Sequence, residues 1–263
     1  MSHVVYLYGF APPAAELPDE GLAGVADAAV ELHGCDGFAA AFSQLPAAEY
    51  GAERVEARTG DLAWVGEQGL AHERVVAWFV DHAEIVPAPL FTLYSSVDAM
   101  AAEAAGRAEA IRQRLERFAG RREWDLKVSY DADEVRAHAA ELDPDVQRVD
   151  QEIAAATPGR RFLLERRRAE LLKGAAGAAA RREAQALLDT VGGVAEAIKV
   201  LPIPEGGAEV PVVLHAAALV AVGAEDQLMS TIQAARGRLG PRGIRVDASG
   251  PWAPYRFVGE SDG

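Results

Sequence analysis

The chain of 263 residues has one cysteine, Cys35, three methionines and only 7% aromatic residues. A single cysteine excludes an intrachain disulfide and a cysteine-based zinc site, and it suits a reducing compartment. Cys35 reads as a small, buried or half-buried thiol. Long hydrophobic runs are also missing. The longest near the C-terminal end, VVLHAAALVAVG, is interrupted by His215 and falls far short of the ~20 residues needed to span a bilayer. The opening MSHVVYLYGF has no basic start and no small-residue cleavage site, so no signal peptide is expected, and the reading is a soluble, cytoplasmic protein. Positive charge is scarce: 26 Lys and Arg against 40 Asp and Glu leave a net charge of −14. Such a surface repels phosphate backbones and anionic lipid, so neither nucleic acid nor membrane insertion is expected.

Catalytic signatures are lacking as well. There is no GxSxG elbow, Walker loop or dinucleotide fingerprint, and GRLGPRG at 237–243 reads as a helix stop and turn. His72, Glu73, Asp81, His82 and Glu84 crowd one predicted helix. However, His72 and His82 are ten residues apart, about 15 Å along the axis, and cannot share one ion within that helix. Ser96 is placed to cap a helix and is not read as a nucleophile. No catalytic residue, cofactor or metal is therefore expected.

The chain does have the proportions of a globular protein, 50% apolar and 25% charged. HVVYLYG predicts a first strand. DAAVELHG and DGFAAAFSQL predict a hairpin around Gly34-Cys35-Asp36-Gly37. From Asp61 to His82 the residues Leu62, Val65, Leu70, Val75, Val76, Phe79 and Val80 predict one apolar helical face. EIVPAPLFTLYSS reads as extended, and a helix is expected from about Val97 to Ala119, ending at Gly120. Trp124, Leu126, Val128 and Tyr130 alternate as a half-buried strand. Helical sequence follows to Thr190, broken at Pro144 and at TPG, 157–159. Two strands joined by PEGGAE, a helix over about 225–239 and the strand GIRVDASGPW complete the order. The fold class expected is α+β: two ferredoxin-like domains of modified split βαβ order with a helical insertion or arm. The domains are 1–120, with a linking helix, and 121–263, with the insertion at about 131–192 and a C-terminal latch on its own domain.

Arg160, Arg161, Arg166, Arg167, Arg168, Arg181 and Arg182 are the local reversals of the acidic balance. They read either as a solvated helix face or as a docking stripe for an acidic partner or the other half of the protein.

Several separated stretches resemble one family. VVYLYGF contains Tyr6, Tyr8 and Gly9; IVPAPLFTLYSS contains Pro87; GRREWDLKV contains Glu123, Trp124 and Lys127. TPGRRFLLERR contains Gly159, and SGPWAPYRF contains Gly250, Pro251, Trp252, Pro254 and Tyr255. In that order they resemble the gas vesicle protein F and L family from residue 4 to 257. The family's middle motif looks like Pro-x-Arg-Phe-Gly-Thr, whereas this chain has Pro87-Ala88-Pro89-Leu90-Phe91-Thr92, without the arginine and glycine. The resemblance implies a non-enzymatic accessory protein of gas vesicle formation. Its partners would be the hydrophobic shell subunit and other gas vesicle accessory proteins, and it could stay with the vesicle as a minor component. The motif residues themselves read as structural, and the sequence sets no homo-oligomeric state. The alternative is a ferredoxin-like module that binds a regulatory small molecule.

Overall fold

In the computed structural model, residues 2–203 and 210–259 are described. PEGGAE, except for its neighbours at 203 and 210, and the last residues of the acidic end lie outside them. The chain divides into two units: Met1–Glu123 with Pro251–Gly263, and Trp124–Gly250.

In the first unit β1 (His3–Ala11) is buried from Val5 onwards. That is what an apolar run flanked by strands on both sides should do, since neither face is left to water. It pairs antiparallel with β3 (Phe38–Pro46), which forms a hairpin with β2 (Glu31–Cys35) through Asp36 and Gly37. Gly37 takes a φ of 82°, a conformation that strains other residues. β4 (Val86–Pro87) and β5 (Leu93–Tyr94) pair with β1, and the sheet order is β2-β3-β1-β4. The β1–β3 register shifts between Leu7 and Gly9. At Gly9 a Cβ would lie 2.6 Å from the Val86 carbonyl oxygen, so glycine there lets β4 approach.

Two short helices, α1 (Ala47–Tyr50) and α2 (Ala52–Arg58), lead to α3 (Leu62–His82). The Asp61 side chain caps α3 by accepting from the Trp64 N–H at 3.1 Å. The buried face runs through Trp64, Gln68, His72, Val75, Val76 and Phe79. Leu62 and Leu70, expected on that face, are 82% and 74% exposed. Trp64 sets the phase at the N-terminal end, and the hydrogen-bonded Gln68 and His72 occupy turns that an apolar pattern would assign to leucine.

The single helix expected over 97–119 is two, α4 (Val97–Gly106) and α5 (Ala108–Phe118), broken where Arg107 takes φ −120° and ψ 13°. Ser96 caps α4 by accepting from the Ala99 N–H, and Gly120 closes the run at φ 64°.

The second unit is built on β6 (Arg121–Tyr130), β7 (Ala197–Val200), β8 (Val212–Ala221) and β9 (Ile244–Trp252), in the order β7-β8-β6-β9. Between β6 and β7 run α6 (Ala132–Ala137), α7 (Ala139–Leu142), α8 (Pro144–Ala154) and α9 (Pro158–Gly192). At 35 residues α9 is about 52 Å long. Its C-terminal half carries Ala176, Ala179, Ala180, Ala184, Leu187 and Val191 into the core. There they meet Leu126 and Val128 of β6, Leu214 and Ala218 of β8, and Leu228 and Ile232 of α10 (Glu225–Leu239). Alanines on this face allow helix and sheet to approach closely. In each unit the sheet places its strands in the same succession: second, third, first, fourth.

The chain passes into the second unit after Glu123 and returns to the first at Pro251. The closing segment, expected to latch onto the C-terminal domain, therefore belongs with the N-terminal unit. Ala253 is fully buried there, packed into the cluster that contains Tyr6, Tyr8, Val76 and Phe79.

Candidate functional site

The motif residues fall into groups with different duties. Tyr6 and Tyr8 are fully buried neighbours on β1. The Tyr6 hydroxyl accepts from the Phe91 N–H at 3.3 Å and lies 2.8 Å from His72 Nδ1. Nε2 makes no hydrogen bond among the described residues. Burial pushes the His72 pKa down to about 4, against a smaller opposing pull from the Ala88 backbone. The Tyr8 hydroxyl accepts from the Val25 N–H at 2.8 Å and donates to Ser43 Oγ at 3.0 Å, while Ser43 donates to the Ala29 carbonyl. These tyrosines pin the long loop after β1 and the turn at Phe91 to the sheet.

Phe91 occupies the position of the glycine in the family motif, and its φ is 61°. Left-handed backbone favours glycine. Phe91 offsets the strain by stacking on Trp64, with centroids 5.1 Å apart and planes 5° from parallel, while the Arg58 guanidinium sits 4.2 Å from the Trp64 ring centroid.

The closing segment forms a clasp. Glu123, 1% exposed, accepts from the Arg256 N–H at 2.9 Å and from Arg256 Nη1 at 2.6 Å. Tyr255 donates its hydroxyl to Glu73 Oε2 at 3.1 Å, and Phe257 is 1% exposed. Burial raises the Glu73 carboxyl above its ordinary value; the Tyr255 hydrogen bond opposes this and the nearby Glu123 adds to it. Burial, with Glu73 alongside, also keeps the Tyr255 hydroxyl protonated. Gly250, at φ 146°, Pro251 and Pro254 set the path, and Trp252 remains 38% exposed. The remaining motif residues do less. Trp124 donates Nε1–H to Glu225 at 3.0 Å, Lys127 is exposed, and a Cβ on Gly159 would meet nothing within 4 Å.

The crowded acids and histidines of α3 do not converge. His72 and Glu73 are engaged as above, His82 stacks on Trp78, and among the described residues no group of three or more His, Cys, Asp or Glu could hold a metal ion. No described helix is long and apolar enough to cross a membrane. Open clefts lie among the described residues. One, of about 350 Å³, is bordered by Tyr130, Asp131, Arg236 and Asp247; another, of about 310 Å³, by Asp27, Arg58, Trp64, Gln68 and Arg74.

The seven arginines of α9 separate into two kinds. Arg168 grips Asp150 of α8 through Nε at 2.5 Å and Nη2 at 3.3 Å, and Arg182 donates to the Leu142 carbonyl and to Asp143. Burial pushes the Asp143 carboxyl up, but hydrogen bonds from the Asp145 N–H, Arg182 and the Val146 N–H outweigh this and hold it below its ordinary value. These two arginines tie the helical insertion together. Arg160 reaches only to 3.9 Å from Glu152, and Arg161, Arg166, Arg167 and Arg181 make no hydrogen bond or ion pair among the described residues. Beside the free guanidiniums, Phe162 and Leu163 are 62% and 64% exposed. The stretch RRFLLERRR signals this in advance, because three consecutive apolar residues on a helix cannot all face inward.

The family model for gas vesicle synthesis protein GvpL/GvpF matches residues 4–259. Gas vesicle protein L of Streptomyces sp. (strain CB03234) is 25% identical over 277 residues, spanning 97% of this chain and 92% of that protein. The fold is that of gas vesicle protein GvpF from Anabaena sp. PCC7120, with a TM-score of 0.71 at 19% identity, covering 99% of this chain and 100% of that one. GvpF from Microcystis aeruginosa superimposes with a TM-score of 0.67 at 18% identity, covering 97% and 98%. With matched residues running from the first strand through the clasp, the chain belongs to the gas vesicle synthesis protein GvpL/GvpF family.

Proposed function

We propose that the chain is a non-enzymatic, cytoplasmic assembly factor of gas vesicles. It binds the hydrophobic shell subunit and other accessory proteins during nucleation and formation, and stays with the vesicle as a minor component. The observation that carries this reading is the family match over residues 4–259. The chemistry of the motif residues is in keeping with it: Tyr6, Tyr8, Tyr255 and Arg256 direct their side chains to partners inside the fold. Two ferredoxin-like halves supply the scaffold, supported by the shared strand succession of the two sheets. An acidic protein with net charge −14 can also keep an apolar subunit in solution while covering part of its surface. Co-expression with the shell subunit tests this. The subunit should co-purify with the chain, and its soluble fraction should rise. A subunit that neither co-purifies nor gains solubility rules out direct binding.

A further inference from the structure

The N-terminal turns of α9 break several local rules at once. Thr157, at the N-cap, makes no side-chain cap hydrogen bond, and the first turn carries no acidic residue. Instead Arg160 and Arg161 stand at the positive end of a 35-residue helix dipole, where cations are disfavoured. From Gly159 to Ala169, five arginines accompany one glutamate, Glu165, in a chain of net charge −14. Only Arg168 of the five has a close carboxylate partner. Water surrounds two large apolar side chains in the same turns, Phe162 and Leu163. Helical spacing arranges these groups: Phe162 with Arg166 and Leu163 with Arg167 are i,i+4 pairs, and Arg160 with Leu163 is an i,i+3 pair. Each apolar side chain thus has a guanidinium one turn away on its own face. A stretch that departs from dipole and burial rules together marks a surface completed by something else.

We infer that the outward face of the first three turns of α9 is a docking surface for an acidic amphipathic protein segment. Its carboxylates pair with Arg160, Arg166 and Arg167, and its apolar side chains cover Phe162 and Leu163. Charge complementarity selects an acidic partner, and arginine suits carboxylates because its planar fork binds them two bonds at a time. The exposed phenylalanine and leucine call for apolar contact that a nucleic-acid backbone does not offer. The acidic remainder of the chain repels nucleic acid and anionic membranes at long range. This inference rests on the assembly-factor reading for having a protein partner, and narrows that reading to one surface.

The test uses the full chain and a fluorescein-labelled 18-residue helical peptide with Glu and Leu on one face. A second peptide has Gln in place of each Glu. Anisotropy titrations at low and moderate salt should show binding of the Glu peptide only, weakened by salt. Arg160→Glu/Arg166→Glu/Arg167→Glu and Phe162→Ser/Leu163→Ser should each weaken it by about tenfold or more. Arg181→Glu, on the same helix outside these turns, should leave it unchanged. Three results overturn the inference: no binding of the Glu peptide, equal weakening by Arg181→Glu, or binding to vesicles of anionic lipid in preference to the peptide. Retention of the shell subunit by the charge-reversed variant would remove this surface from shell binding while leaving the assembly-factor reading intact. Loss of shell binding by the wild-type chain would remove that reading while the peptide titration still stood.

Discussion

Replacing Arg256 by alanine removes the 2.6 Å bond from Nη1 to Glu123 and leaves a carboxylate that is 1% exposed, with Glu73 as an acidic neighbour. Breaking a buried ion pair from one side costs about 3–5 kcal/mol, because the remaining charge has lost its partner. Here the guanidinium is 36% exposed and partly screened by water, and the residue 256 backbone N–H still reaches Glu123, so about 2 kcal/mol is the expected loss. Glu123→Gln keeps an acceptor for that N–H while removing the charge. If the two groups are coupled, the double variant should be more stable than the sum of the single losses implies, by about 1–2 kcal/mol.

A protein of two compact units need not unfold in one step, so a single melting temperature would not locate the loss. Hydrogen exchange read by mass spectrometry does. In Arg256→Ala, amides of β1 and α3 should exchange about 30-fold faster, the equivalent of about 2 kcal/mol, while β8 and α10 keep their rates. Phe257→Ala should give the same pattern with a larger amplitude, since truncating a buried phenylalanine costs about 3–5 kcal/mol. Faster exchange confined to β8 and α10 would place the closing segment's contribution in the other unit and refute the clasp. Unchanged rates in both units would refute its energetic role.

Phe91→Gly should be more stable than Phe91→Ala by about 1 kcal/mol in chemical denaturation, the reverse of the usual order in extended segments, because the φ of 61° penalises any Cβ. Both should be weaker than wild type through the lost stack on Trp64. The His72 pKa of about 4 in the fold, against an ordinary 6.5, means the unfolded chain binds the proton more tightly, so its contribution is complete above about pH 6.5 and lost as pH falls towards 4. From pH 7.5 to 5 that loss should reach about 2 kcal/mol in urea titrations and be absent in His72→Gln. Glu73, whose carboxyl is raised, works in the opposite sense: its contribution is present below the ordinary carboxylate pKa and lost as pH rises through the folded value, so Glu73→Gln should deepen the acid loss. The motif glycines should differ in thermal denaturation. Gly9→Ala meets the Val86 carbonyl and should lose about 2 kcal/mol, whereas Gly159→Ala meets open space on a helix and should gain about 0.5 kcal/mol.

Periodicity made β1, the β2–β3 hairpin, β6 and the ends of α3 legible, because in each the pattern and the terminating residue agree: Gly37 at the turn, Asp61 at the cap, Gly120 after α5. It misled where polar side chains do core work. Gln68, 5% exposed, accepts from the Tyr50 hydroxyl, and His72, 3% exposed, is hydrogen-bonded to Tyr6, so the inward face of α3 contains two residues that a hydrophobicity pattern assigns outward. The break at Arg107 follows directly on Gly106, a lone glycine whose helix-breaking effect the continuous expected helix passed over. The unit to which the closing segment belongs is not legible in the sequence for a plainer reason. Chain proximity to β9 is visible in the sequence, whereas its partners Glu73 and Glu123 lie 182 and 133 residues away.

The arginines are a case in which more could have been read. The buried or half-buried positions of α9's first half follow Leu164, Leu171 and Ala175, a spacing of seven and then four that keeps to one side of the helix. Arg168 is four residues after Leu164, and Arg182 is seven after Ala175, so both lie on that stripe. They face the insertion's other helices, where Asp150 and Asp143 receive them. Arg166 falls nearly opposite the stripe and Arg167 to one side of it, and Phe162 shares the outward side with Arg166. Grouping the arginines by adjacency in sequence joined residues that the helix separates. Helical angle puts Arg168 and Arg182 on the stripe and Phe162 beside Arg166 on the outward side; Arg160 and Arg161, four and three residues before Leu164, flank the stripe and are exposed all the same, so the docking inference rests chiefly on Phe162, Leu163, Arg166 and Arg167.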